Sequence, residues 1–160
     1  MPTFHKRDIA RSQLETAVDI FLRGLSFHSV ITLAGAASGI LNGLVHAAGK
    51  ETFVDYARRI HHDLRGFMPK REAYAHHIEK TLGISAHKHL YESDTDTVEL
   101  DLERLAADAV ARAMADYVTL YGQDEPFVKA YLQWAWVEKD GPGMMTKYEA
   151  LPAAMRRQPK

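Results

Sequence analysis

Cysteine is absent from this 160-residue chain. That removes disulfides, thiolate metal sites and a cysteine nucleophile, and it fits a reducing cytosol. Net charge is nearly absent as well: 20 Lys and Arg stand against 21 Asp and Glu. No global basic excess exists to draw in nucleic acid or an anionic membrane, although a local basic patch is left open. Long uninterrupted apolar runs are also missing. The longest stretch, Val30 to His46, is broken by Thr32, Ser38, Asn42 and several glycines, and it reads as a buried helix and not as a membrane span. The first residues lack the basic-then-apolar order of a signal peptide, so a cytoplasmic protein with no membrane attachment is expected. Catalytic signatures are missing too. There is no GxSxG elbow, and there is no GxxxxGK[ST] loop or GxGxxG turn, which excludes a P-loop or Rossmann enzyme. No two histidines stand three or four residues apart, so HExxH and HxxxH are absent.

What is present is helical periodicity throughout. Apolar residues make up 46% of the chain, enough for one domain with a real core. Ile9, Leu14, Ala17, Val18, Phe21 and Leu22 predict a first helix over 7–24, stopped by Gly24. Ser26 is placed to cap a second, over 27–48, whose inward face is Val30, Leu33, Ala34, Ala37, Ile40, Leu41, Leu44 and Val45. Its small residues, with Gly35 and Gly39 among them, predict that another backbone passes close, since glycine inside a helix costs about 1 kcal/mol. A third helix is expected over 51–65, opened by Thr52 or Glu51 and broken by Gly66. A fourth is expected from Pro69 in its first turn to Leu82. Residues 84–100 read as irregular, with Ser93 to Thr97 a polar turn and Thr97 to Leu100 briefly extended. A fifth helix over 101–121, capped by Asp101, and a sixth over 125–138, rich in aromatics, complete the pattern. The sixth reads as a lid or a dimer surface. Gly141, Pro142 and Gly143 read as the end of the regular domain. The expected organisation is therefore an all-α, single-domain bundle of five or six helices over 1–140. A C-terminal tail with a possible short helix follows over 141–160.

The stretch with most chemical potential is Arg71 to His89, which holds four of the nine histidines. Glu72, His76 and Glu79 stand at i, i+4 and i+7, one helix face, and could hold a divalent ion if a second helix added ligands. Di-iron bundles use Glu-x-x-His at i, i+3 in two copies, a pattern not found here. An Arg and a His held together can stabilise phosphate charge and move the proton of a ribose hydroxyl. Arg71 and His76 have such an Arg-x4-His form, though on a regular helix they point about 140° apart. His87 and His89 face an acidic turn and could pair with Asp94 or Asp96.

Gln13 to Ala17, Thr32 to Ala37 with Ile40 and Leu41, Lys88-His89 followed by the acidic turn and Val98 to Leu100, and the aromatic segment Pro126 to Trp136 together resemble small bacterial helical proteins related to the HEPN superfamily. The resemblance covers roughly residues 11–138. It implies a dimeric helical bundle, often encoded beside a partner protein. Many such proteins are metal-independent ribonucleases carrying Arg-x4–6-His, and others have lost the site. Carried onto this chain, the polar-x-x-Lys-His segment falls on Ser85 to His89, with His89 as the catalytic histidine beside Lys88. The arginine position then holds Ile84, and Ser85 replaces the usual asparagine. The resemblance thus implies a homodimeric binding or interaction module linked to RNA or nucleotides, with a degenerate active site and no cofactor. The alternatives are an endoribonuclease using Arg71 and His76, or His89 with an arginine of the partner subunit, and a metal-binding bundle using Glu72, His76 and Glu79.

Overall fold

The computed structural model of the protein describes residues 1–90, 92 and 94–156. Among them are seven α-helices and no strand: α1 Lys6–Leu22, α2 Phe27–Ala47, α3 Phe53–Arg65, α4 Arg71–Thr81, α5 Leu102–Tyr121, α6 Pro126–Glu138 and α7 Gly141–Ala150. A short 3-10 turn, Ala153–Met155, follows. The predicted extension at 97–100 does not form a ladder.

Most helix ends fall where local chemistry puts them. Ser26 accepts from the Ser29 amide, Thr52 from that of Asp55, and Asp101 from that of Arg104. Gly66 closes α3 in the left-handed region at φ 79°, where a side chain would be strained. Two expectations fail. Pro69 does not open α4, whose N-cap is Lys70. Its carbonyl instead accepts two hydrogen bonds from the Arg58 guanidinium, at 3.0 and 2.9 Å. Gly141-Pro142-Gly143 starts a helix where a break was expected. Proline suits a first helical turn, and the Asp140 carboxylate caps the Gly143 amide. Gly141 is required there because a Cβ would enter the ring of Trp136. Residues after 140 therefore continue the packed structure. α7 lies on α6 and the 3-10 turn lies on α3. Tyr56 Oη donates to the Met155 carbonyl, and Arg59 donates to that of Ala154.

α2 is the centre, packed between α1 and α5. It is long and apolar enough to cross a membrane by length and composition, and Val30, Ile31, Ala34, Ala37, Leu41 and Val45 on it are completely buried. The facing stripes are Ala10, Leu14, Ala17, Val18 and Phe21 on α1, and Leu105, Ala109, Val110, Ala113 and Tyr117 on α5. Ile9 and Leu22, expected inward, flank the α1 stripe and stay about two-fifths exposed, at 37% and 40%. Each large aliphatic side chain in this core contributes about 1.5–3 kcal/mol by leaving water. α6 covers one end. Phe127, Val128 and Tyr131 are buried, and Trp134 meets Phe21 edge-on at 4.7 Å between ring centres.

Among the described residues no backbone comes within reach of the α2 glycines; a side chain does, and at Gly35 alone. The turn after α4 drives Ile84, fully buried, against it, and a Cβ on Gly35 would lie 2.6 Å from Ile84 Cγ2. Gly39 and Gly43 have open space above them.

Candidate functional site

α3 and α4 form a pair set against α5, and the contact is built on charge. α5 carries Asp108, Arg112 and Asp116 at successive i, i+4 positions, one face of the helix. Asp116 is completely buried and accepts the Phe53 amide at 2.7 Å, which fastens the N-terminus of α3 to α5. A carboxylate at that end also complements the helix dipole.

Between these three helices lies a cavity of about 410 Å³, within the usual range for small-molecule sites. Phe53 and Ala57 of α3, Ile78 and Leu82 at α4, and Ala111 of α5 give it apolar walls. Tyr74, His77, Thr81, Asp108 and Arg112 supply its polar groups. His77, Thr81 and Ala111 are solvent-exposed and mark its mouth.

Arg112 sits at the wall with its side chain only 3% exposed. Its Nε and Nη1 are sealed from water and have no hydrogen-bond partner. The nearest carboxylate oxygen, Glu79 Oε1, is 3.8 Å from Nη1, beyond hydrogen-bond length. Burial pushes the guanidinium down from its ordinary value, and the charges of Glu79 and Asp116 offset this only in part. A buried donor left unsatisfied costs about 1–3 kcal/mol, more for a charged group. Arg112 thus brings a positive charge to the wall of an apolar slot, with Nε and Nη1 packed behind that wall.

The residues singled out from the sequence lie elsewhere or act otherwise. Arg71 is a clamp. Its Nε donates to both carboxylate oxygens of Asp55, at 3.0 and 3.3 Å, and its Nη2 to Asn42 Oδ1 at 2.8 Å. It thereby ties α4 to α3 and α2. No hydrogen bond joins it to His76, which is exposed with Glu72 on the outer side of α4. Glu79 turns towards Arg112. Among the described residues no group of three His, Asp or Glu is placed to hold a metal ion, and the Glu72/His76/Glu79 set does not converge. Lys88 and His89 are exposed at the end of a compact turn, their amides donating to the Ser85 carbonyl. His87 meets neither Asp94 nor Asp96. It pairs with His28 at the start of α2.

Asp55 gives the clamp a pH dependence. Burial pushes its carboxyl up, but hydrogen bonds from Thr52, Arg71 and Arg58 outweigh this and hold it below its ordinary value of 3.8. A carboxyl lowered on folding stabilises the fold above its unfolded value, and that stability is lost as pH falls through the folded one. Arg71→Gln is expected to cost about 1–2 kcal/mol at neutral pH, with one third of the side chain exposed. The gap from wild type should begin to narrow below about pH 4 and go on narrowing as the pH falls further. Thermal melts of both proteins from pH 3 to 7 check this, and a gap constant across that range would refute the clamp.

Compared with known protein families, curated proteins and solved structures, the chain matches none. The sequence reading did not identify Arg112. A signal was present: in the predicted helix over 101–121, Leu105, Ala109, Arg112 and Asp116 share the apolar stripe. Two charges in a buried stripe need partners.

Proposed function

We propose that the protein is a HEPN-like binding module whose α3–α4–α5 cavity takes a nucleotide or the exposed base of an RNA. The observation that carries this reading is the buried Arg112 guanidinium at the wall of an apolar slot, its charge only partly balanced by Glu79 and Asp116. A planar heterocycle fits the chemistry of the walls. Its ring would lie among Phe53, Tyr74 and Ile78, with acceptors towards Arg112 and an exocyclic donor towards Asp108. A phosphate would sit at the mouth, within reach of a donor from the His77 ring.

Loss of nuclease chemistry belongs to the same reading. The position where the resemblance would place an arginine holds Ile84, which is fully buried in the core. A guanidinium there would have to displace packing against Gly35. Arg71 is occupied by Asp55 and Asn42. The dimer implied by the resemblance would cover Trp136, Val137, Met144 and Met145, the large apolar side chains exposed on α6 and α7.

Calorimetric titration with nucleoside 5′-monophosphates, alongside ribose 5-phosphate, tests the cavity. Saturable binding of a nucleotide but not of the sugar phosphate is expected, and Ala57→Phe, which fills the slot, should remove it. Absence of binding by any of the common nucleotides, or binding indifferent to Ala57→Phe, would overturn the proposal.

A further inference from the structure

His87 and His28 come from segments 59 residues apart, and their imidazoles meet: His28 Nδ1 lies 2.9 Å from His87 Nε2. The other nitrogen of His87, Nδ1, lies 2.7 Å from the Gly83 carbonyl. A carbonyl only accepts, so His87 Nδ1 carries the hydrogen and Nε2 presents a lone pair. This is the arrangement by which proteins orient a metal-binding histidine: a backbone carbonyl fixes the tautomer and aims the free nitrogen. His87 is further held because Gly83 and Ile84 beside it are buried under Leu105 and against Gly35. His28 is exposed. The rings are already tilted by 43°, with centres 5.2 Å apart.

We propose that His28 Nδ1 and His87 Nε2 form a two-histidine site for a divalent late transition ion such as Zn2+, with water filling the remaining positions. Zinc–imidazole bonds are about 2.0–2.1 Å, so two of them at 90–110° place the nitrogens about 2.9–3.4 Å apart. The observed separation falls at the near edge of that window. On binding, the proton of His28 moves from Nδ1 to Nε2, both rings stay neutral, and the ion replaces the hydrogen bond. Imidazole donors suit Zn2+, Cu2+ and Ni2+ and not the hard ions Mg2+ and Ca2+. The site is separate from the cavity at Arg112, and its ion would staple the turn after α4 to the start of α2.

The test is titration of untagged protein with ZnCl2 against a chromogenic chelator, together with thermal melts. One ion per chain and a raised melting temperature are expected. His28→Gln changes an exposed residue and keeps the fold. It should weaken binding at least about tenfold, since losing even an outer partner of a ligand costs 10–100-fold. The melting shift should disappear with it. His76→Gln/His77→Gln, which removes the adjacent exposed pair on α4, should leave binding unchanged. Binding retained in His28→Gln, or lost in the α4 double variant, overturns the assignment.

Discussion

Gly35→Val is expected to be among the most damaging single substitutions in this protein, lowering the melting temperature by roughly 5–10 °C. The reason is geometric. Even the first carbon of any side chain at this position would lie 2.6 Å from Ile84 Cγ2 and 3.3 Å from its Cγ1. Ile84 has no room to retreat, being fully buried, and the turn that carries it is held by the hydrogen bonds of Ser85 to the Glu79 carbonyl and His87 to those of Gly83 and Ile84. Overpacking of a closed core costs about 1–3 kcal/mol, and more where the neighbour cannot yield. Ile84→Ala alone should cost about 2–5 kcal/mol through the cavity it leaves.

A double-mutant cycle separates this account from a general intolerance of α2. In the Ile84→Ala background, Gly35→Val should cost much less than in wild type, because valine then fills the space that isoleucine left. Contacting residues couple by about 0.5–3 kcal/mol, and a favourable coupling of that size is expected. Urea unfolding of the four proteins measures it, and additive costs would show that the notch and its occupant are unrelated. Gly39→Ala makes the matching control. It has open space above it and should be neutral or slightly stabilising.

The same pair shows how far the sequence could be read. That something passes close to α2 was legible from glycines inside a helix. That the visitor is Ile84, and that it meets Gly35 and not Gly39, depends on how the turn after α4 folds back across α2. Nothing local encodes that path. Helix existence was readable because periodicity and caps are local properties. Ser26, Thr52 and Asp101 acted as caps where they stood. The misreadings came where local chemistry served two purposes. Gly141-Pro142-Gly143 has the composition of a break, yet proline also opens helices, and the position of Trp136 selects that role. The chemical stretch meets the same limit. Arg71 looked like a catalytic arginine because of its spacing to His76, but spacing along a helix says nothing about Asp55 and Asn42, which claim it from two other helices. Arg112, which lines the cavity, was camouflaged within the apolar stripe of α5.

Arg112→Met is accordingly expected to abolish nucleotide binding while leaving the domain as stable as wild type or more so, by up to about 1–2 kcal/mol. A residue kept for structure would behave in the opposite way. Arg112 Nε and Nη1 have no hydrogen bond in exchange for their burial, and the approach to Glu79 is long at 3.8 Å. Glu79 keeps 30% of its side-chain exposure and so retains water when the arginine is removed. Asp116 keeps the Phe53 amide. Methionine matches the stem of arginine in reach, occupies the same wall and brings no unsatisfied donors. Arg112→Lys is the informative contrast, because it keeps the charge and loses the planar fork. If the ligand is read through two parallel hydrogen bonds, lysine should restore little binding. Unfolding in urea and calorimetric titration of the three proteins give both readouts. A loss of 3–5 kcal/mol in Arg112→Met would mark the arginine as one half of a buried ion pair with Glu79 or Asp116, and the cavity would then lose its claim to be the binding site.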